Sequence, residues 1–191
     1  GVDIPVGDLG IDFLISSANK CIQGVPGFSF IICRRDKLLE SQGKARSLSL
    51  DLYDQWKTMD KDGKWRFTSP THVVLAFAQA LREMEEEGGI PKRAERYQEN
   101  NRLLIEKMQE LGIRPYIGSE HQGPIITTFF YPSQHDFSFQ EMYQYIKDRG
   151  YAIYPGKVTD ADTFRIGNIG EIYPEDIEKL CGIMKEFLEE R

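Results

Sequence analysis

Three short stretches of this chain carry residue types that do chemistry. In FLISSANKCIQGVPGFSF, residues 13–30, an apolar run gives way to small polar residues, a single lysine, and a loop punctuated by Gly24, Pro26 and Gly27. Lys20 stands where the apolar strand ends. A lysine desolvated at such a place loses basicity and acts as a nucleophile or base, the requirement for condensing with an aldehyde. Ser16, Ser17, Ala18 and Asn19 are small and leave room for a bulky partner, while Gln23 and Gly24 are candidates for shaping the pocket beside the amine. The plainer alternative is a solvated lysine closing a strand. No GK[ST] follows the glycines, so the loop is not of the phosphate-cradling P-loop type.

In WRFTSPTHVV, residues 65–74, Thr68, Ser69 and Thr71 put three hydroxyls at a helix start. Free backbone N–H groups and the helix dipole favour an anion there, although Ser69 as a simple cap explains the same spacing. Arg66 is a weaker anion candidate, and His72 reads as a packed or surface histidine. In TFRIGNIG, residues 163–170, Arg165 sits in a short apolar strand. Burying a guanidinium among Thr163, Phe164 and Ile166 is costly unless it is paired, either with an anionic ligand or in an internal salt bridge.

The elements that must position these residues alternate along the chain. Ile11–Ile15, apolar apart from Asp12, and Phe28–Cys33 read as strands, and Phe13–Ile15 is apolar on both faces, as in a parallel sheet buried between helices. Such a strand's carboxyl end is where α/β proteins place ligands. Helices are expected over Arg35–Ser41 and Leu50–Met59, with a turn at Lys61-Asp62-Gly63. Ser69 as N-cap and Pro70 as the first helical residue open a helix that Gly88-Gly89 stops. A second long helix covers Pro91–Leu111. Beyond it the texture becomes α+β, with strands at Ile113–Ile117, Ile125–Tyr131, Tyr151–Tyr154 and Thr163–Ile169, and helices at Ser138–Arg149 and Pro174–Glu190. The expected division is 1–90 and 91–191. The run Arg82–Glu87 reads as a solvated charged face, and Tyr143, Tyr145, Tyr151 and Tyr154 as packing residues.

Composition bounds the function. The 191 residues are 40% hydrophobic and 28% charged, a globular balance, and the net charge of −6 argues against nucleic acid or an anionic membrane as partner. No apolar stretch approaches the roughly 20 residues of a membrane span. Cys21, Cys33 and Cys181 form neither a CxxC pair nor a disulfide framework, which points to reduced thiols in the cytoplasm and to no bound metal. The chain opens at Gly1 in GVDIPVGDLG without a polar lead-in, and reads as a fragment lacking an amino-terminal part.

SSANKCIQGVPGFSFII resembles the cofactor-lysine segment of class V aminotransferases, pyridoxal phosphate enzymes of fold type I, and WRFTSPTHVV and TFRIGNIGEI resemble two further segments of that family in the same order. The resemblance implies an α/β fold: part of the large cofactor-binding domain over 1–90, then a connecting helix and a small α+β domain over 91–191. It implies that Lys20 carries pyridoxal 5′-phosphate, that Thr68, Ser69 and Thr71 reach the cofactor phosphate of the other subunit in a homodimer, and that Arg165 grips a substrate carboxylate. The implied activity is transamination of the amino donor 2-aminoethylphosphonate with pyruvate. Another class V activity, such as alanine:glyoxylate or serine:glyoxylate transamination, and an inactive dimerising fragment both stay open. The family's pyridine-nitrogen aspartate, ring-stacking aromatic and first phosphate turn are expected ahead of Gly1, so the fragment alone is expected to be inactive.

Overall fold

The computed structural model describes residues 1–133, 137–156 and 160–190. Apart from Gly1, it divides into two compact units, Val2–Glu83 and Met84–Arg191.

The first unit begins with strands β1 (Phe13–Ser17) and β2 (Ser29–Cys33), paired antiparallel with Phe13 opposite Cys33 and Ser17 opposite Ser29. This corrects the expectation of a parallel strand buried on both faces. Residues 18–28 form a turn, in which the Ala18 N–H donates to the Phe28 carbonyl at 3.4 Å. A parallel pair would need a crossover, usually a helix. One face of the hairpin stays open: Ile15 is 68% exposed, and Phe13 and Ile31 are exposed beside it. Helices α1 (Arg35–Glu40) and α2 (Leu52–Asp62) follow. The Asp51 side chain caps α2 by accepting from the Asp54 N–H, and left-handed Gly63 ends it. Helix α3 (Thr71–Glu86) starts one residue later than the Ser-Pro signature predicts, its first turn closed by Val74 N–H donating to the Pro70 carbonyl. Phe77 on α3 packs against Phe28 and Phe30, with ring centroids 5.2 and 5.7 Å apart.

The second unit is built on α4 (Gly89–Glu110), which opens at the left-handed Gly89 after a left-handed N-cap, Gly88. A three-stranded antiparallel sheet has the order β3 (Ile126–Phe130), β5 (Thr163–Gly167), β4 (Tyr154–Pro155). Helix α5 (Phe139–Asp148) lies between β3 and β4 in sequence, capped by Ser138, whose hydroxyl accepts from the Glu141 N–H. Helix α6 (Pro174–Glu189) closes the chain with Pro174 as its first residue. Leu104 and Met108 of α4, Phe129 of β3, Phe164 and Ile166 of β5, and Met184 and Phe187 of α6 form the core.

Two expected strands are shorter than their apolar runs. Over 113–117 only an isolated bridge, Pro115 to Phe129, forms, because proline has no N–H to extend a ladder. Over 151–154, the Tyr151 N–H turns back to the Ile146 carbonyl at the exit of α5, leaving Tyr154 and Pro155 as the whole of β4.

Candidate active site

In the first unit Lys20 lies three residues beyond the end of β1, in a tight turn. The Gly24 N–H donates to the Ala18 carbonyl at 2.9 Å, and the Gln23 N–H to the Lys20 carbonyl at 2.8 Å. Gln23 takes a left-handed φ of 65°, the sole non-glycine to do so among the described residues. That conformation costs on the order of 1 kcal/mol, and the surrounding bonds hold it. Gly24 is required here, since a Cβ would stand 2.8 Å from the Ala18 carbonyl oxygen and 3.3 Å from the Phe77 ring. The turn is therefore closed by its own backbone hydrogen bonds and leaves Lys20 exposed. The desolvation expected of this amine is not present within the chain itself, because the neighbours that would bury it are small.

The hydroxyl cluster forms at the start of α3. Ser69 Oγ and Thr71 Oγ1 lie 3.1 Å apart, and Thr68 is exposed just before them. Ser69 thus bonds its neighbour's hydroxyl rather than capping the helix. His72 is exposed, as a surface histidine should be. Arg66 is already committed: it donates to the Leu48 carbonyl at 2.8 Å and pairs with Asp54 at 3.3 Å, with its side chain 14% exposed. That pairing removes it from the anion-binding candidates.

In the second unit, alternation along β5 sends Phe164 and Ile166 into the core and leaves Arg165 half-buried on the other side of the sheet. No ion pair holds Arg165 among the described residues. Its Nε donates to the Pro155 carbonyl at 3.0 Å, and its guanidinium carbon lies 6.0 Å from the centre of the Tyr154 ring. The internal salt bridge that competed with a ligand-binding role is absent from these residues. Tyr154 is 57% exposed, which corrects its reading as a packing residue; Tyr143, Tyr145 and Tyr151 do pack against the core.

A buried polar seam beside β5 escaped the sequence reading. Glu87 lies in the charged run Arg82–Glu87 yet is not solvated like a surface acid: it receives Arg93 Nε and Arg96 Nε, each at 2.7 Å. Arg96 donates onward to the carbonyls of Gly170 and Ile172 at 2.7 and 3.0 Å. Asn168 is fully buried and donates to the carbonyls of Pro124 and Tyr97. These donors fix the chain as it leaves β5, three to seven residues beyond Arg165. The sequence signal was faint, an asparagine between two glycines and arginines spaced along one helix.

A family profile described as aminotransferase class-V matches residues 2–166. The chain belongs to the class V aminotransferase family. A protein of Bacillus cereus (strain G9842) described as 2-aminoethylphosphonate–pyruvate transaminase is 60% identical over 181 residues, covering 94% of this chain and 49% of that protein. The chain therefore spans about half the length of the curated relatives it matches. Among solved structures, alanine–glyoxylate aminotransferase from Nostoc sp. superposes with a TM-score of 0.83 at 21% identity, covering 98% of this chain and 51% of that one. Phosphoserine aminotransferase from Trichomonas vaginalis, solved with pyridoxal phosphate bound, gives 0.77 at 19% identity over 95% of this chain and 49% of that one. At these identities the structures speak to the fold, which is that of the family's fold type I enzymes.

Proposed function

We propose that this protein transfers the amino group of 2-aminoethylphosphonate to pyruvate, forming phosphonoacetaldehyde and alanine, as a cytoplasmic homodimer that uses pyridoxal phosphate. The observation that carries this reading is 60% identity to a 2-aminoethylphosphonate–pyruvate transaminase across nearly the whole chain, against 21% to the alanine–glyoxylate enzyme. Residues 1–90 serve as part of the cofactor-binding domain in this reading, and 91–191 as the connecting helix and small domain. No helix among the described residues is long and apolar enough to cross a membrane.

The residues present fit the cofactor. Lys20 offers an exposed amine with no ion pair among the described residues, on a turn that excludes a side chain at Gly24. Ser69 and Thr71 offer adjacent hydroxyls at the start of a sixteen-residue helix, where an anion is favoured. When bound, pyridoxal phosphate supplies an aldehyde for the donor's amine and an electron sink for the carbon that loses its proton. Lys20 Nζ would hold the cofactor at its aldehyde carbon, and the freed amine would move a proton from the donor's amino-bearing carbon to that carbon of the cofactor, acting first as general base and then as general acid. Thr68, Ser69 and Thr71 bind the phosphate, and Arg165 grips the carboxylate of pyruvate and alanine through its fork.

The test is an amino-donor and acceptor screen on full-length protein, with and without Lys20→Ala. Turnover of 2-aminoethylphosphonate with pyruvate is expected, and the substitution should abolish both turnover and the visible absorbance of bound cofactor. Preference for alanine with glyoxylate would instead assign the sibling activity, and failure to take up the cofactor would leave a dimerising fragment.

A further inference from the structure

We propose that Tyr154, Pro155 and Gly156 form a bracket that orients the Arg165 guanidinium, making Tyr154 and Gly156 positioning residues for carboxylate binding. The inference rests on the reading of Arg165 as the carboxylate ligand.

β4 is only two residues long, yet its register sets Tyr154 directly opposite Arg165 and Pro155 opposite Phe164. A strand this short contributes little to the sheet. What it does supply is one carbonyl, that of Pro155, 3.0 Å from Arg165 Nε. Nε is the one donor on the inner edge of the guanidinium. Its bond fixes the plane of the group and leaves the two terminal nitrogens without a bond among the described residues. Those nitrogens form the end-on fork that matches the two coplanar oxygens of a carboxylate. The Tyr154 ring, 6.0 Å from the guanidinium carbon, adds a π-face to the same cation.

Gly156 makes the bracket possible. Its N–H donates to the Thr163 carbonyl at 2.8 Å, which draws the chain after Pro155 tightly onto the start of β5. A Cβ at this position would stand 2.8 Å from the Thr163 carbonyl carbon, backbone that cannot swing aside. Any side chain therefore pushes β4 away from β5 and lengthens the Pro155–Nε bond. An arginine held this way loses its rotamer freedom on folding rather than on meeting a ligand, and the affinity that it gives a carboxylate rises accordingly.

Full-length protein tests this with Gly156→Ala, Tyr154→Ala, Tyr154→Phe and Arg165→Ala. Readouts are the KM and kcat for pyruvate, and the binding of propionate, an unreactive carboxylate, by saturation-transfer NMR. Gly156→Ala and Tyr154→Ala should raise KM about tenfold and weaken propionate to match, with kcat within about twofold, while Tyr154→Phe keeps the ring and stays near wild type. Tyr154 is exposed, so its substitution tests the bracket even if Gly156→Ala folds poorly. Added guanidinium at millimolar concentration should restore pyruvate use to Arg165→Ala saturably, and the rescue should vanish when Tyr154→Ala is combined with it. An unchanged KM and propionate affinity in Arg165→Ala would overturn the carboxylate reading, and the bracket with it. A raised KM in Arg165→Ala, with wild-type values in both Gly156→Ala and Tyr154→Ala, would overturn the bracket alone.

Discussion

Glu87 shows how a single residue can escape a reading by composition. In REMEEE it is one acid among several, yet two arginines of α4 converge on it, and its side chain is only 21% exposed. The hydrogen bond from Arg96 holds its carboxyl below the ordinary 4.5, against the opposing effect of burial and with a further bond from Arg93. A carboxylate whose folded pKa is depressed contributes stability above its unfolded pKa, and that stability is lost as pH falls through the folded value. Glu87→Gln keeps the shape and removes the charge from a site shared by two largely buried guanidinium groups. It should cost about 3 kcal/mol at neutral pH. The decline of the melting temperature on acidification below about pH 5 should also become shallower than in the unmodified protein. Thermal melts across pH 3–7 measure both effects, and parallel acid limbs would show that Glu87 does not carry this linkage.

At the scale of elements, the turn between β1 and β2 is shaped by what it presses against. A Cβ on Gly27 would lie 2.7 and 2.8 Å from the two methyl groups of Val73 on α3, and Gly27 has a φ of 153°. A Cβ on Gly24 would meet backbone, the Ala18 carbonyl oxygen. The two glycines should therefore respond differently to repair. Gly27→Ala and Gly24→Ala are each expected to destabilise the first unit by about 1–3 kcal/mol. Adding Val73→Ala to Gly27→Ala removes the colliding methyls and should recover part of the loss, the remainder reflecting the backbone conformation. No α3 truncation should recover Gly24→Ala. Denaturant unfolding of the single and double variants decides this, and strict additivity at Gly27 and Val73 would refute the contact.

At the scale of the whole molecule, the segment that carries the hydroxyl cluster is unusually apolar on its outside. Leu48 is 76% exposed, Leu50 82% and Leu75 63%, with Phe67 and Trp65 exposed among them. Apolar exposure of this kind is what an association surface would use. It supports the proposal that Thr68, Ser69 and Thr71 act across a dimer. If the site is shared in that way, Phe67→Asp and Leu75→Glu in full-length protein should shift sedimentation from dimer towards monomer and weaken cofactor retention in step, because a ligand held by both subunits stabilises their association. A fully active monomer would defeat the shared-site arrangement.

Much of this protein is written locally in its sequence. The helices expected from the sequence fall within a few residues of α2, α3, α4, α5 and α6, with the serine–proline and double-glycine signals bounding α3, and three ordered motifs named the family that the profile match then established. Local rules suffice there because caps, turns and helical periodicity depend on neighbours a few residues apart. Tertiary structure alone decided the rest. β1 is an antiparallel hairpin strand because of the turn that follows it, although its apolar run reads equally well as a parallel one. Arg66 is spent on Asp54 and the Leu48 carbonyl, and Arg165 is held by a carbonyl ten residues earlier in the chain. An arginine's type shows that it needs a partner, but the partner is fixed only when the fold brings distant backbone and side chains within about 3 Å, the reach of a hydrogen bond.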